Sequence, residues 1–337
     1  MRHPGDRNLI RTRVTVDAAQ VAAAAEALRA GRLVAFPTET VYGLGADASS
    51  PAAVARLYAA KGRPGTHPVI VHLAHVDAAG GWVREFTDEA RTLARAYWPG
   101  PLTLVMRRAP HVLDAVTGGQ DTVALRVPSH PVAHELLSAF GGGIAAPSAN
   151  RFGRISATTA QHVRDEFGAE VEIVLDGGAS DVGIESTIVD VSAGHAVLLR
   201  PGAISALQIE QTLGAAPGAP HASSPRASGA LATHYAPSTP LLLLEGDLLL
   251  ELAATLAQQG KRIAALARTA QRPLLRDLRW IAAPGDPHAY AHDLYANLRT
   301  LDAARCDVIL VQQPPQEAAW AAINDRLSRA AAGTRLP

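Results

Sequence analysis

The chain has 337 residues, enough for two domains, and 48% of them are hydrophobic against 18% charged, a balance that excludes a disordered polymer. Lys plus Arg and Asp plus Glu each total 31, so the zero net charge excludes whole-molecule electrostatic binding of nucleic acid. A single cysteine, Cys306, excludes an internal disulfide and a cysteine metal site and fits a reducing cytosol, so the expected location is cytoplasmic. Met1–Asp6 leads into no apolar segment, so no signal peptide is expected, and no apolar run reaches the ~18–20 residues of a membrane span.

In chain order, Asp17 caps a first helix, with Gln20 completing a capping box, and Gly31 stops it. Arg32–Phe36 reads as a strand, followed by a glycine-rich turn through Gly45. Ser50-Pro51 opens a helix that runs to about Ala60, a polar loop spans Lys61–Gly65, and Pro68–Leu73 is an apolar strand. A helix over Thr87–Tyr97 precedes strands at Leu102–Arg107 and Thr122–Val127. His130–Phe140 is helical, a short buried strand lies within Gly141–Pro147, and Thr158–Phe167 is a helix. Strands at Val171–Leu175, Thr187–Val191 and Ala196–Leu199 cluster late. Early alternation and late clustering of strands describe an α/β fold with a sheet of mixed direction. Residues 214–233, rich in Ala, Pro, Gly and Ser, read as a linker. Four strands then follow at Leu241–Leu244, Arg262–Ala267, Leu278–Ala282 and Val308–Gln312, separated by helical stretches: a compact α/β domain.

Five short segments could carry chemistry. Pro37–Gly45 sets two threonines and a carboxylate at a strand end, where ligands gather in open α/β folds; ordinary capping would use the same residues. Lys61 and Arg63, two apart in one loop, suit an anion, or a solvated helix terminus. His67, His72 and His75 lack a metal-site spacing, and His72, inside an apolar strand, reads by default as a satisfied core histidine. Pro147–Asn150 with Ser156 offers hydroxyls and N–H groups to an anion or caps the next helix. Gly183–Asp190 and Leu199–Ala203 complete the set, Arg200 being either a phosphate ligand or a surface turn residue. No Gly-x-x-x-x-Gly-Lys-[Ser/Thr] loop, Gly-x-Gly-x-x-Gly or Gly-x-Ser-x-Gly elbow is present.

The order and spacing of these segments is more specific than any one of them. Pro-Thr-Glu-Thr-Val-Tyr-Gly-Leu-Gly, Lys-x-Arg-Pro, Pro-Ser-Ala-Asn, Glu-Ser-Thr-Ile-Val-Asp and Leu-Arg-Pro-Gly closely resemble the YrdC-like family. His234–Pro237 after the linker resembles its longer, two-domain branch of threonylcarbamoyl-AMP synthases. The resemblance implies a twisted mixed sheet with flanking helices over 10–213, a linker over 214–237, and a smaller Rossmann-like α/β domain over 238–337. It implies a nucleotidyltransferase that condenses L-threonine, bicarbonate and ATP, with Mg²⁺, into threonylcarbamoyl-AMP and releases pyrophosphate. A separate transferase would place the threonylcarbamoyl group on the adenosine beside the anticodon of tRNA. By the same resemblance Thr40, His72, Arg126 and Ser186 fall on the threonine side. Lys61, Arg63, His67, Thr122, Ser148, Ser156, Arg200 and Tyr235 fall on the nucleotide side. No general base and no side-chain metal ligand is assigned. A concave basic surface built from Lys61, Arg63, Arg126, Arg151, Arg154 and Arg200 leaves weak RNA binding open as an alternative.

Overall fold

The computed structural model describes residues 17–229, 231 and 233–332. The N-terminal reading of Met1–Asp6, the start of the first domain at residue 10 and the end of the second at 337 lie outside them. Among the described residues, no helix is long and apolar enough to cross a membrane.

The first sheet joins nine strands: β1 (Val34–Phe36), β2 (Gly43–Asp47), β3 (Ile70–His72), β4 (Leu102–Arg107), β5 (Thr122–Arg126), β6 (Ile144–Ala145), β7 (Ile173–Val174), β8 (Thr187–Asp190) and β9 (Val197–Arg200). Their order is β7-β1-β2-β6-β3-β5-β4-β8-β9. The pairs β1–β7, β3–β5 and β4–β8 are parallel and the others antiparallel, so the sheet is mixed. The helices are α1 (Ala18–Arg29), α2 (Pro51–Lys61), α3 (Asp88–Tyr97), α4 (Asp114–Thr117), α5 (Pro131–Phe140), α6 (Ala160–Phe167) and α7 (Ala206–Leu213).

Side-chain alternation along β1 explains the layering. Val34 and Phe36 pack with Val21 and Leu28 of α1 and Leu136 of α5, while Leu33 and Ala35 join the larger core with Val54 and Leu57 of α2. A strand turns successive side chains to opposite faces, so both faces of this sheet are covered by helices.

The structure corrects several expectations. Asp17 accepts from the Ala19 N–H as a simple cap, without the box through Gln20. The glycine-rich segment after β1 is not a turn but the strand β2. A Cβ on Gly45 would come within 2.8 Å of Ile144 Cγ2 and 3.0 Å of Phe36 Cε1, so glycine is what lets these strands approach. Helix α7 was not anticipated, although Ser205 and Gln208 form a reciprocal capping box and Gly214 ends it in the left-handed conformation.

The second sheet is all parallel, in the order β10-β13-β11-β12, from β10 (Leu241–Leu244), β11 (Ile263–Ala267), β12 (Leu278–Ala282) and β13 (Val308–Gln312). Helix α8 (Gly246–Gln258) covers one face through Leu249 and Ala253. Helices α9 (Pro287–Ala303) and α10 (Ala321–Ala331) cover the other through Leu294, Leu298, Ile323 and Leu327. Cys306 is half-buried at the edge of this core rather than inside it.

The two domains share a core. The cluster under α9 and α10 also contains Val41, Ile155 and Ile184 of the first domain and Tyr235 of the linker. Arg299 of α9 donates to Glu166 Oε2 at 3.0 Å and to the Ser156 carbonyl at 3.2 Å, and Arg154 pairs with Asp302 at 3.2 Å. The second domain therefore rests directly on the strand ends of the first.

Candidate active site

Those strand ends enclose a polar cavity. It is lined by Thr38, Thr40, Val41 and Tyr42 between β1 and β2, Gly43 of β2, His72 of β3, Arg126 of β5, Ala146–Ser148 after β6, Glu185 and Ser186 before β8, Arg200 of β9 and the linker residues Ser228, Gly229, His234 and Tyr235. Ile70, Val105, Ile188 and Leu199 make an apolar floor against which Ala227 of the linker packs.

One end centres on Arg126, a buried side chain. Its Nε donates to the Gly100 carbonyl at 3.2 Å and its Nη1 to Thr40 Oγ1 at 2.8 Å. Its Nη2 lies 2.9 Å from Glu39 Oε1, an ion pair without hydrogen-bond alignment. Glu39 is itself fixed by the Ser129 N–H at 3.1 Å. The Thr38 and Thr40 hydroxyls meet at 2.8 Å. His72 faces the same space, and its Nδ1 has no hydrogen-bond partner. That overturns the default of a satisfied core histidine.

The other end collects cations. Arg200 donates through Nε and Nη2 to the Ser186 carbonyl at 3.1 and 2.9 Å, through Nη2 to Ser186 Oγ at 3.2 Å, and through Nη1 to the Ser228 carbonyl at 2.7 Å. Arg63 donates to the Pro68 carbonyl at 2.8 Å and lies 3.4 Å from Ser228 Oγ, with its Nε unpartnered. Lys61, just behind, donates to the carbonyls of Ser148 and Asn150. Burial first, then Arg63, pushes the Lys61 ammonium well below its usual range.

The linker closes this end. Arg226 donates to the Gly118 carbonyl at 2.8 Å, and its N–H donates to Gln120 Oε1 at 2.6 Å. Tyr235, fully buried, sits at φ 62°, a left-handed conformation that costs a non-glycine residue energy. Its hydroxyl has no partner. A Cβ on Gly229 (φ +75°) would fall 2.2 Å from that hydroxyl, so only glycine lets the linker double back here. The free volume beneath the linker is about 30 Å³, far less than the ~300–1,000 Å³ of a ligand pocket.

All four threonine-side residues (Thr40, His72, Arg126, Ser186) line the cavity, as do Arg63, Ser148, Arg200 and Tyr235 of the nucleotide side. The rest lie elsewhere. Thr122 borders a smaller neighbouring cavity on the far side of Ser228. His67 packs edge-on to Phe152, ring centroids 5.4 Å apart. Ser156 donates its hydroxyl to Glu185 Oε1. The proposed RNA surface does not form: Lys61, Arg63, Arg126 and Arg200 are buried, and Arg151 and Arg154 are paired with Glu170 and Asp302. Among the described residues, no group of three His, Cys, Asp or Glu side chains stands close enough to hold a metal.

The sequence reading missed Glu185, whose motif it quoted without giving this carboxylate a role. Glu185 Oε2 accepts from Tyr295 Oη at 2.8 Å and from Arg326 Nε at 2.9 Å. Burial raises the Glu185 carboxyl, but Arg326 and then Arg200 outweigh it and hold the group at about 2.

Buried neutral histidines make stability pH-dependent. Burial, then Arg126, pushes His72 from 6.5 down to about 3, and burial takes His234 to about 3. Below the unfolded value of 6.5 the unfolded chain takes up protons that the folded chain refuses. The stability that these two histidines contribute is therefore complete above pH 6.5 and declines toward pH 3, by at most about 1.4 kcal/mol per pH unit for each. Glu185, lowered from 4.5 to about 2, adds its own loss only below pH 4.5. The expected result is a thermal midpoint that drops from pH 7.5 to 5.0, with a shallower drop in His72→Asn; parallel curves for variant and wild type would refute this.

The enclosed cationic cavity under a two-domain α/β fold has known relatives. Residues 26–202 match the Sua5_yciO_yrdC family, described as "Telomere recombination", and residues 204–332 match the C-terminal domain of threonylcarbamoyl-AMP synthase. The threonylcarbamoyl-AMP synthase of Pyrococcus abyssi is 37% identical over 97% of this chain and 98% of its own. That of Bacillus subtilis is 38% identical over 93% of each. Among solved structures, P. abyssi Sua5 in complex with L-threonine superimposes with a TM-score of 0.87 at 35% identity, covering 94% of this chain and 95% of that one. A variant of the same protein with an adjacent histidine and tyrosine changed to alanine gives 0.88 at 34% identity, covering 95% of each. The chain is an enzyme and belongs to the threonylcarbamoyl-AMP synthase family, in its two-domain form.

Proposed function

We propose that this protein condenses L-threonine, bicarbonate and ATP into L-threonylcarbamoyl-AMP with release of pyrophosphate, and that a separate transferase uses the product to modify the adenosine beside the anticodon of tRNA. The observation that carries this reading is one buried cavity with an Arg126–Thr40–His72–Ser186 end and an Arg63–Ser148–Arg200–Tyr235 end. The P. abyssi relative crystallised with L-threonine supports threonine as the amino-acid substrate.

The threonine amine and bicarbonate give a carbamate and water. A carbamate oxygen then bonds to the α-phosphorus as the bond to the bridging oxygen breaks, and pyrophosphate leaves. Arg126 would hold the threonine carboxylate, with the Thr40 hydroxyl beside it. His72, neutral at pH 7 with an unpartnered Nδ1, is placed to accept a hydrogen bond without adding charge. Arg63 and Arg200 would meet the phosphates, with Lys61 behind them, so catalysis rests on positioning and electrostatic stabilisation. Glu185, which lines the cavity, and Glu39, behind Arg126, are both committed to arginines. No side-chain metal site is needed: Mg²⁺ would arrive on the phosphates, held by them and water, and draw charge from the leaving pyrophosphate. Nucleotide entry would require Ser228, Gly229, His234 and Tyr235, the linker residues that line the cavity, to withdraw.

The test is pyrophosphate release from ATP with L-threonine and bicarbonate each present or omitted. Release that needs both supports the reading. Release without threonine would overturn it in favour of plain hydrolysis or another acceptor.

A further inference from the structure

We propose that Arg326, on α10 of the second domain, is a positioning residue of the nucleotide site: by neutralising Glu185 it leaves Arg200 free for phosphate. The proposal rests on the nucleotide reading of Arg63 and Arg200 above.

Arg326 is the most deeply placed cation contributed by the second domain, with a side chain that has no exposed surface. Its Nε binds Glu185 Oε2 at 2.9 Å, its Nη1 binds the Pro201 carbonyl at 2.9 Å and Asp325 at 2.8 Å, and its Nη2 reaches the Glu185 carbonyl at 3.3 Å. The guanidinium lies 5.4 Å from the centre of the Tyr235 ring. Tyr295 of the same domain completes the bracket around Glu185.

The division of charge in the cavity gives these contacts their meaning. Glu39 is paired with Arg126 and Glu185 with Arg326. The hydrogen bonds of Arg200 and Arg63 go to neutral oxygens alone: the Ser186, Ser228 and Pro68 carbonyls and two serine hydroxyls. Those two arginines thus keep unspent charge for an anion. Glu185 precedes Ser186, whose carbonyl Arg200 holds, and Glu185 and Arg200 line the same cavity. Without Arg326, Glu185 would keep only the neutral Ser156 and Tyr295 hydroxyls as bonded partners, and the buried carboxylate and Arg200 would compensate each other. Phosphate would then have to displace a carboxylate from Arg200. The second domain therefore tunes the nucleotide site through one charge, in addition to packing on it.

A charge-pair experiment on the full-length chain separates this role from packing. Arg326→Met, Glu185→Gln, the double variant and Arg326→Lys are compared by calorimetric binding of Mg·ATP and by KM for ATP and threonine in the pyrophosphate assay. Arg326→Met is expected to weaken ATP binding by at least about 30-fold while KM for threonine moves by less than about 3-fold. Removing the carboxylate as well should restore ATP binding to within about 5-fold of wild type, because the glutamine oxygen still accepts from Ser156 and its amide N–H can donate to the Tyr295 hydroxyl. Arg326→Lys should fall between. If Arg326→Met does not fold, the double variant is compared with Glu185→Gln. A loss of more than about 10-fold there overturns the proposal, and a smaller difference supports it. Wild-type ATP binding in Arg326→Met, or a double variant as weak as the single, also overturns it. Absence of ATP binding by the wild type would instead remove the nucleotide reading and this proposal with it.

Discussion

Arg126→Met is expected to raise KM for threonine by at least about 100-fold in the pyrophosphate assay, because a buried, hydrogen-bonded charge contact is worth several kcal/mol. The guanidinium is aimed by three fixed neighbours: the Gly100 carbonyl, the Thr40 hydroxyl and Glu39. It keeps Nη donors beyond those contacts, in the fork geometry that matches a carboxylate. Lysine has one donor centre in place of the fork, so Arg126→Lys should recover only part of the loss. Stability should fall as well, by about 3–5 kcal/mol, since Glu39 is left buried without its counter-charge. The double variant Glu39→Gln/Arg126→Met separates the two effects. It should regain thermal stability and not threonine binding, because here the arginine itself meets the ligand. Recovery of threonine affinity in the double variant would show that Arg126 acts through Glu39 and does not touch the substrate.

Much of this architecture was legible in the sequence because its causes are local. Caps such as Ser50 with Pro51, and the alternation of β1, are set by neighbours a few residues away. β2 was misread because Gly43 and Gly45 look like a turn in isolation; their reason is the bulk of Phe36 and Ile144 across the sheet. The four threonine-side residues come from positions 40 to 186, and only the strand order β1-β2-β6-β3-β5-β4-β8 brings them together. The same distance hid the rest. Glu185 and Arg326 lie 141 positions apart, and a lone arginine between Asp325 and Leu327 on an amphipathic helix reads as a surface charge until the second domain docks. Thr122 and His67 were carried over by position alone, and in this arrangement the linker stands between Thr122 and the main cavity, while His67 packs outside it.

Arg63→Met should reduce kcat/KM for ATP by about 1,000-fold or more, with threonine binding measured alone left within about 3-fold of wild type. The Arg63 side chain is buried, its Nε has no partner, and its strongest bond is to a backbone carbonyl at 2.8 Å. A cation desolvated to that degree with no carboxylate bound to it is a destabilising element unless a ligand supplies the anion. Burial accordingly lowers the affinity of the guanidinium for its proton, and the nearby Arg200 adds to that. Arg63 meets Ser228 Oγ of the linker at a long 3.4 Å, and Arg200 leans on the same residue through its carbonyl. Phosphate and linker therefore compete for one pair of arginines, and the linker offers only neutral oxygens against a polyanion. Two consequences can be measured together. Arg63→Met should lose ATP affinity yet gain thermal stability in the ligand-free state, because a buried unpaired charge is gone. If instead the variant is destabilised without ligand and its ATP affinity is unchanged, Arg63 is a structural cation and the nucleotide end must be drawn around Arg200 alone.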